Sequence, residues 1–455
     1  MKNADVFKQF AKYASLSVLG MVGMSCYILA DTFFVSKGLG TNGLAALNLA
    51  IPAYNVIHGA GLMLGIGGAT KFSVYKSRGE HEKANEVFTN TLYLAAAFSL
   101  LFVLLGALLS GNIARALGAE NEVFSMTDTY LKVLLLFSPA FLLNDVLICF
   151  TRNDGDPRLA MLATLSGSLS NILLDYVFIF PCKMGMFGAV FATGLAPVIG
   201  ICVSSVRFLR GKNGFRPVKA RPRGKQAATC FALGFPSFVE QLSSAVVMIA
   251  FNAIILRLLG NTGVAAYGVV ANISLVVLSV FTGIAQGAQP LVSRSHGEGD
   301  GKKSQALFTC SALTSLIFSA AVYAVIFAFA LPIAEIFNSA GDPNLGAIAS
   351  DGLRLYFIAT PFAGFNVILC SFFAATEKPL PAHILSLLRG LALILPAAFL
   401  FSWLWGITGV WLSFPAAEAA TALAGAALFA GLRKKLFRSG AEKAEEKERA
   451  GSPSD

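Results

Sequence analysis

Twelve stretches of mostly apolar residues, each long enough to cross a lipid bilayer, divide this chain. That segmentation constrains its fold more than any motif it carries. The runs fall at about 13–35, 44–70, 86–110, 124–150, 160–181, 186–207, 230–258, 263–291, 306–332, 347–372, 383–405 and 407–431. A helix needs roughly 20 such residues to span the hydrocarbon core, and the longer runs allow tilt or ends that reach into water. Only 13% of residues are charged and mean hydropathy is +0.69, against about a quarter charged in soluble chains. The expectation is an all-α polytopic membrane protein with twelve transmembrane helices.

The net charge of +10 invites a nucleic-acid reading, but the placement of the charges excludes it. With both chain ends on the cytoplasmic side, 29 of the 35 lysines and arginines fall in the termini and the inner loops. The positive-inside rule produces that asymmetry, so both termini are expected to be cytoplasmic and no nucleic-acid partner is expected. The opening "MKNADVFKQFAKYASLSV" lacks a small-residue cleavage site and reads as a retained first helix. The seven cysteines and four histidines are dispersed. With neither disulfide nor metal-ligand spacing, they read as packing residues in helices.

The sequence is duplicated. Residues 39–89 align with 259–309 at an offset of 220 without a gap. Gly40 meets Gly260, Gly43 meets Gly263, Gly67 meets Gly287, Gly79 meets Gly299 and Lys83 meets Lys303. The matched loops "SRGEHEKANEVFT" and "GEGDGKKSQALFT" are polar, so the match is not mere shared hydrophobicity. Six spans per copy give both halves the same orientation, a parallel repeat of the transporter type with a substrate site where the halves meet. The expected division is an N-lobe over 1–207, a basic cytoplasmic linker over 208–229, a C-lobe over 230–436 and a disordered cytoplasmic tail over 437–455. The linker contains "RFLRGKNGFRPVKARPRGK", for which anionic-lipid contact is the functional alternative to a topogenic role.

A charge at the centre of a span costs about 2.5–3.5 kcal/mol on insertion scales, so intramembrane carboxylates are functional candidates. Asp31 in "SCYILADTFFVSKGLG" lies about five residues from the outer end of its span, and Asp175 in "SNILLDYVFIF" about six. At ~1.5 Å per residue the two reach nearly one depth. Asn171 is one turn from Asp175 on the same face, and Thr193 enters from the outer end of span six. Such a set suits a hard cation such as Na⁺, held by oxygen ligands, or a proton shared by neighbouring carboxylates. The purely structural alternative has Asp31 capping a turn and Asp175 bonding a neighbouring helix. The repeat does not duplicate the set, since Phe251 stands at the Asp31 position. The second half instead offers Glu240, Gln241, Gln286, Gln289, Arg389 and Glu418. With Tyr27 these are expected to line a net-negative cavity suited to lipophilic cations, unless Glu240 or Glu418 is simply paired with Arg389 or a hydroxyl. Asp145 and His58 read as helix-end or packing groups.

Taken in order, "ADTFFVSKGLG", "TRNDGDPRLAML", "SNILLDYVFI", "GFPSFVEQ" and "WLSFPAAEAATAL" resemble the multidrug and toxic compound extrusion (MATE) transporters. That family lies within the multidrug/oligosaccharidyl-lipid/polysaccharide flippase superfamily, and the likeness covers essentially the whole chain. It implies two six-helix lobes in a bacterial plasma membrane, exporting organic cations in exchange for Na⁺ or H⁺ with no other cofactor. It also implies a first-lobe cation site at Asp31, Asn171, Asp175 and Thr193. Two positions depart from the family pattern. Leu16, with Gly20 and Gly23 nearby, stands where many relatives have a helix-bending proline. Ser244 stands where other branches place a glutamate. The leading reading is a monomeric cation-coupled exporter of small organic compounds in contact with membrane lipids, and not an enzyme. A lipid-linked precursor flippase would prefer a cavity rich in arginine. A membrane-embedded enzyme would need a nucleophile–base pair or metal cluster at one depth, and none is visible. The duplicated architecture disfavours a passive channel.

Overall fold

The computed structural model describes residues 3–337 and 343–437, so the expected tail, Phe437 apart, lies outside the described residues. Every apolar run becomes a helix, and among the described residues there is no strand. The helical run Asn3–Ser77 breaks at Gly40 into α1 (3–39) and α2 (41–77). α3 is His81–Ala116. α4 consists of Asn121–Leu136 and Ser138–Asn153, bent by 49°. α5 is Pro157–Ile179 and α6 is Gly185–Leu209. The run Gly224–Glu298 breaks at Gly260 into α7 (224–259) and α8 (261–298). α9 is Gly301–Phe337, and α10 is Pro343–Ala375 with a 3₁₀ turn at Phe357–Ala359. α11 (379–405) contains a π-helical turn at Leu388–Ala392, and α12 (407–436) follows the break at Gly406.

The duplication is visible in the backbone. Gly40 (φ 67°, ψ −160°) and Gly260 (φ 63°, ψ −155°) turn the chain from one span into the next within a single residue. That region of φ/ψ is essentially open to glycine alone. A Cβ at either position would meet nothing within 4 Å, so the demand is on the backbone and not on space. The Gly79 and Gly299 turns, also 220 apart, share a positive φ of 78° and 73°.

Two compact units form. One comprises Met1–Ser15, Thr70–Ala84 and Phe251–Asp455 within their described residues, the other Leu16–Ala69 and Asn85–Ala250. Small residues in each interior sit beside large buried ones such as Trp411, Phe281, Phe88 and Phe150. In the first unit Ala266, Val269, Ala334 and Ala349 form one buried cluster. In the second, a Cβ on Gly67 would stand 2.0 Å from the Cys230 carbonyl oxygen, and one on Gly234 1.8 Å from that of Met63. α2 and α7 therefore touch backbone to backbone, the close approach through which membrane helices gain packing energy. Other large apolar side chains point outward: Leu108, Leu169 and Leu423 are exposed, as are Trp403 and Trp405 beside the α11–α12 turn. Such a surface suits lipid tails with an aromatic belt at their border.

The stretch between α6 and α7 has no regular structure, yet it is docked on the second unit. Phe215 is fully buried against Phe88, Phe150 and Phe208. Asp154 accepts from the Arg207 guanidinium at 2.7 Å and from the Gly214 amide at 2.9 Å. The backbone amides of Arg216, Val218 and Arg223 donate in turn to Asn85, Thr89 and Asn90 along one face of α3.

Candidate functional site: two buried carboxyls

α1, α5 and α6 bring the four sequence-predicted cation residues together inside the second unit. Asn171 and Asp175 are fully buried, and Asp31 and Thr193 nearly so. The one-turn spacing on α5 puts Asn171 beside Asp175. With its amide nitrogen facing that side chain, Asn171 donates to Asp175 Oδ2 at 3.0 Å, and its oxygen accepts from the Thr193 backbone amide at 3.2 Å. The Asp31 and Asp175 carboxyls are neighbours in this cluster. The Oδ1 atom of each is buried with no hydrogen-bond partner.

Tyrosines complete the surroundings, and sequence reading singled out just one of them. Tyr130 on α4 lies beside Thr193, whose own Oγ1 donates to the Ala189 carbonyl at 3.1 Å. Tyr27, one turn before Asp31, shares a 2.5 Å hydrogen bond with Tyr54 on α2. Lone tyrosines within largely apolar spans were the signal that could have pointed to Tyr54 and Tyr130, and it was not used. Their partners depend on how neighbouring helices are rotated, which spacing along one helix does not specify.

The donor set fits a small hard cation or a proton. Two carboxyl oxygens lack partners, and an amide and two hydroxyls lie beside them. A buried polar atom left unpaired costs about 1–3 kcal/mol, so the unsatisfied Oδ1 atoms favour anything positive that reaches them. Asp31 and Asp175 would carry the charge of a bound Na⁺, with Asn171 and Thr193 as neutral oxygens. Among the described residues no group of three or more His, Cys, Asp or Glu side chains is arranged to hold a metal ion.

The residues expected to line a substrate cavity are divided. Tyr27, Glu240 and Gln241 belong to the second unit, and Gln286, Gln289, Arg389 and Glu418 to the first. Arg389, on the π-helical turn of α11, donates through Nε and an η nitrogen to Glu418 Oε1 at 3.2 and 3.0 Å. Asn366 on α10 donates to Glu418 Oε2 at 2.6 Å. Arg389 and Glu418 thus form the interhelical pair that the sequence offered as the alternative. Gln289 donates to Thr70 at 2.7 Å and Gln286 is buried. Glu240 and Gln241 are half-buried.

Twelve helices in a duplicated order, with one carboxyl pair buried in a single unit, define a polytopic membrane protein whose two halves have specialised. The MatE family model matches residues 17–177 and 236–400, and the chain belongs to that family. Similar proteins include the multidrug export protein MepA of Staphylococcus aureus, 24% identical over 441 residues and 96% of each chain. MepA of Staphylococcus saprophyticus is 25% identical over 437 residues, again 96% of each. Among solved structures, the outward-facing conformation of a multidrug resistance MATE family transporter of the MOP superfamily superposes with a TM-score of 0.88. It is 23% identical, with 95% of this chain and 99% of that one covered. A MOP superfamily transporter from Pyrococcus furiosus, described as having a binding pocket of reversed polarity, gives a TM-score of 0.87 at 23% identity over 96% and 98%.

Proposed function

We propose that this chain is a secondary exporter of small organic compounds, driven by Na⁺ or H⁺ moving the opposite way through the Asp31–Asp175 site. The observation that carries the reading is the pair of buried carboxyls, each with an unsatisfied oxygen, in a MatE-family chain. A cation or proton entering there would neutralise buried charge and shift the balance between conformations that hold α1 differently. It does so only by the difference in its affinity for the two. The relatives named as multidrug export proteins support a broad cargo, read here as cationic and lipophilic. The pairing of Arg389 with Glu418 supports a cationic one, because an arginine held by a carboxylate is poorly placed to receive a polyanion. The lysine and arginine distribution supports a bacterial plasma membrane with both chain ends in the cytoplasm.

The test is uptake of a fluorescent lipophilic cation, such as ethidium, into proteoliposomes under separately imposed Na⁺ and H⁺ gradients. One gradient should drive accumulation, and Asp31→Asn should abolish that drive by at least about tenfold, a free-energy loss of about 1.4 kcal/mol. Unchanged transport and unchanged ion dependence in Asp31→Asn would remove the site from the mechanism.

A further inference from the structure

A second titratable pair lies in the same unit, outside the carboxyl cluster. His58 on α2 and Asp145 on α4 are both buried, and His58 Nδ1 lies 3.0 Å from Asp145 Oδ2. The pair is enclosed by helix contacts: a Cβ on Gly61 would stand 2.3 Å from that same Oδ2. The His58 ring stacks on Tyr54, one turn earlier on α2, at 5.8 Å between centroids and 17° between planes. Tyr54 is packed edge-on by Phe141 and hydrogen-bonded to Tyr27, which lies one turn before Asp31 on α1. Tyr54 therefore stands between two acidic centres, one carrying an imidazole and the other the carboxyl pair.

The ionisable surroundings of His58 are few. Tyr54 shares its helix. α4 supplies Asp145 and, one turn on, the Cys149 thiol and then Arg152. α1 supplies Tyr27 and Asp31. α7 packs Phe238 and Gln241 against the neighbouring Gly59, with Glu240 adjacent in sequence. Histidine is the side chain whose ordinary titration falls near neutrality. Here it is withdrawn from water and hydrogen-bonded to a carboxylate that can hold either ring state.

We propose that His58, oriented by Asp145, is a second proton-binding site of the transporter, linked electrostatically to the Asp31–Asp175 site through the Tyr54–Tyr27 contact. An imidazolium on α2 favours the ionised form at Asp31, so a proton on one site opposes cation or proton loading at the other. By linkage that opposition is mutual. The inference rests on the proposed exporter function, but its first test needs no transport.

The protein, labelled with ¹⁵N-histidine and reconstituted in lipid nanodiscs, is titrated by NMR between about pH 5 and 9. Four histidines contribute, and His58→Gln identifies one of them. The His58 signal should titrate within this window, and its midpoint should move in Asp145→Asn and in Asp31→Asn. A His58 signal that holds one protonation state throughout overturns the proposal, and a midpoint indifferent to Asp31→Asn overturns the linkage. In proteoliposomes, His58→Gln should lose the limb of the transport–pH profile that wild type shows near neutrality while still accumulating ethidium. Tyr54→Phe, which keeps the imidazole–carboxylate pair but removes the Tyr54–Tyr27 hydrogen bond, should leave His58 titrating while weakening the response of its midpoint to Asp31→Asn. A profile unchanged in His58→Gln sinks the proposal and leaves the exporter function standing, whereas normal coupling in Asp31→Asn removes the exporter reading and leaves the His58 titration intact.

Discussion

Glu377 occupies a backbone conformation (φ 56°) that costs a residue with a Cβ about 1–2 kcal/mol. The turn between α4 and α5, 222 residues earlier, meets the same need with Gly155 (φ 104°). Pro157 and Pro379 follow at matching positions, after Asp156 and Lys378 with nearly equal dihedrals. At this strained position the carboxylate is met by two basic side chains and an imidazole. Lys71 Nζ lies at 2.5 Å, His296 Nε2 at 3.7 Å and an η nitrogen of Arg78 at 3.9 Å. Although burial opposes the charge, nearby His296 and the hydrogen-bonded Lys71 hold the Glu377 carboxyl down to about 2. The stabilisation that follows is present above the ordinary carboxyl range and is lost as pH falls from about 4.5 to about 2. Glu377→Gln should therefore lower stability at neutral pH by on the order of 2 kcal/mol. It should also flatten the acid limb of a thermal-unfolding series in detergent, and an acid limb identical to wild type would discount the cluster. At this scale the Asp31, Asn171, Asp175 and Thr193 set was legible, because depth and one-turn spacing are properties of single helices. The His58–Asp145 pair was not, since the two belong to spans 87 positions apart and each alone resembles a packing residue.

The spans themselves were readable from hydropathy, but how they join was not. The sequence leaves 36–43 between the first two runs, whereas the structure continues the helix to residue 39 and resumes it at 41, using Gly40 alone as the turn. Glycine marks a break without saying how short the break will be. The 49° bend of α4 falls at Phe137, just before Ser138 and Pro139. Proline's missing N–H and its clash with the preceding turn account for the bend, and the residue was in plain view within an apparently continuous run. Gly260→Ala tests the single-residue turn, because alanine at φ 63° should cost about 1–3 kcal/mol. Alanine at Gly268, a helical position with nothing within 4 Å of its Cβ, should be neutral or slightly stabilising. Equal thermal midpoints for the two variants in detergent would refute this account of the α7–α8 turn.

For the whole molecule, duplication set the architecture, and divergence set the chemistry. The offset of 220 predicted from sequence recurs in the backbone angles of Gly40 with Gly260 and Gly79 with Gly299. The carboxyl pair sits in one unit and the Arg389–Glu418–Asn366 cluster in the other. The stretch between the halves reads in sequence as a spacer because it is basic and rich in proline and glycine. Its docking depends on one aromatic residue and on amide bonds to α3, neither of which composition reveals. Removing that anchor with Phe215→Ala should cost about 3–5 kcal/mol. It should also open residues 210–223 to limited proteolysis, and a cleavage pattern matching wild type would refute the docking. The main-chain amides of Arg216, Val218 and Arg223 are fastened to α3, so the stretch joining the halves is held by more than its peptide bonds. A chain severed between Val218 and Arg223 keeps such a bond on each side of the cut, so two co-expressed polypeptides that end and begin there should co-purify.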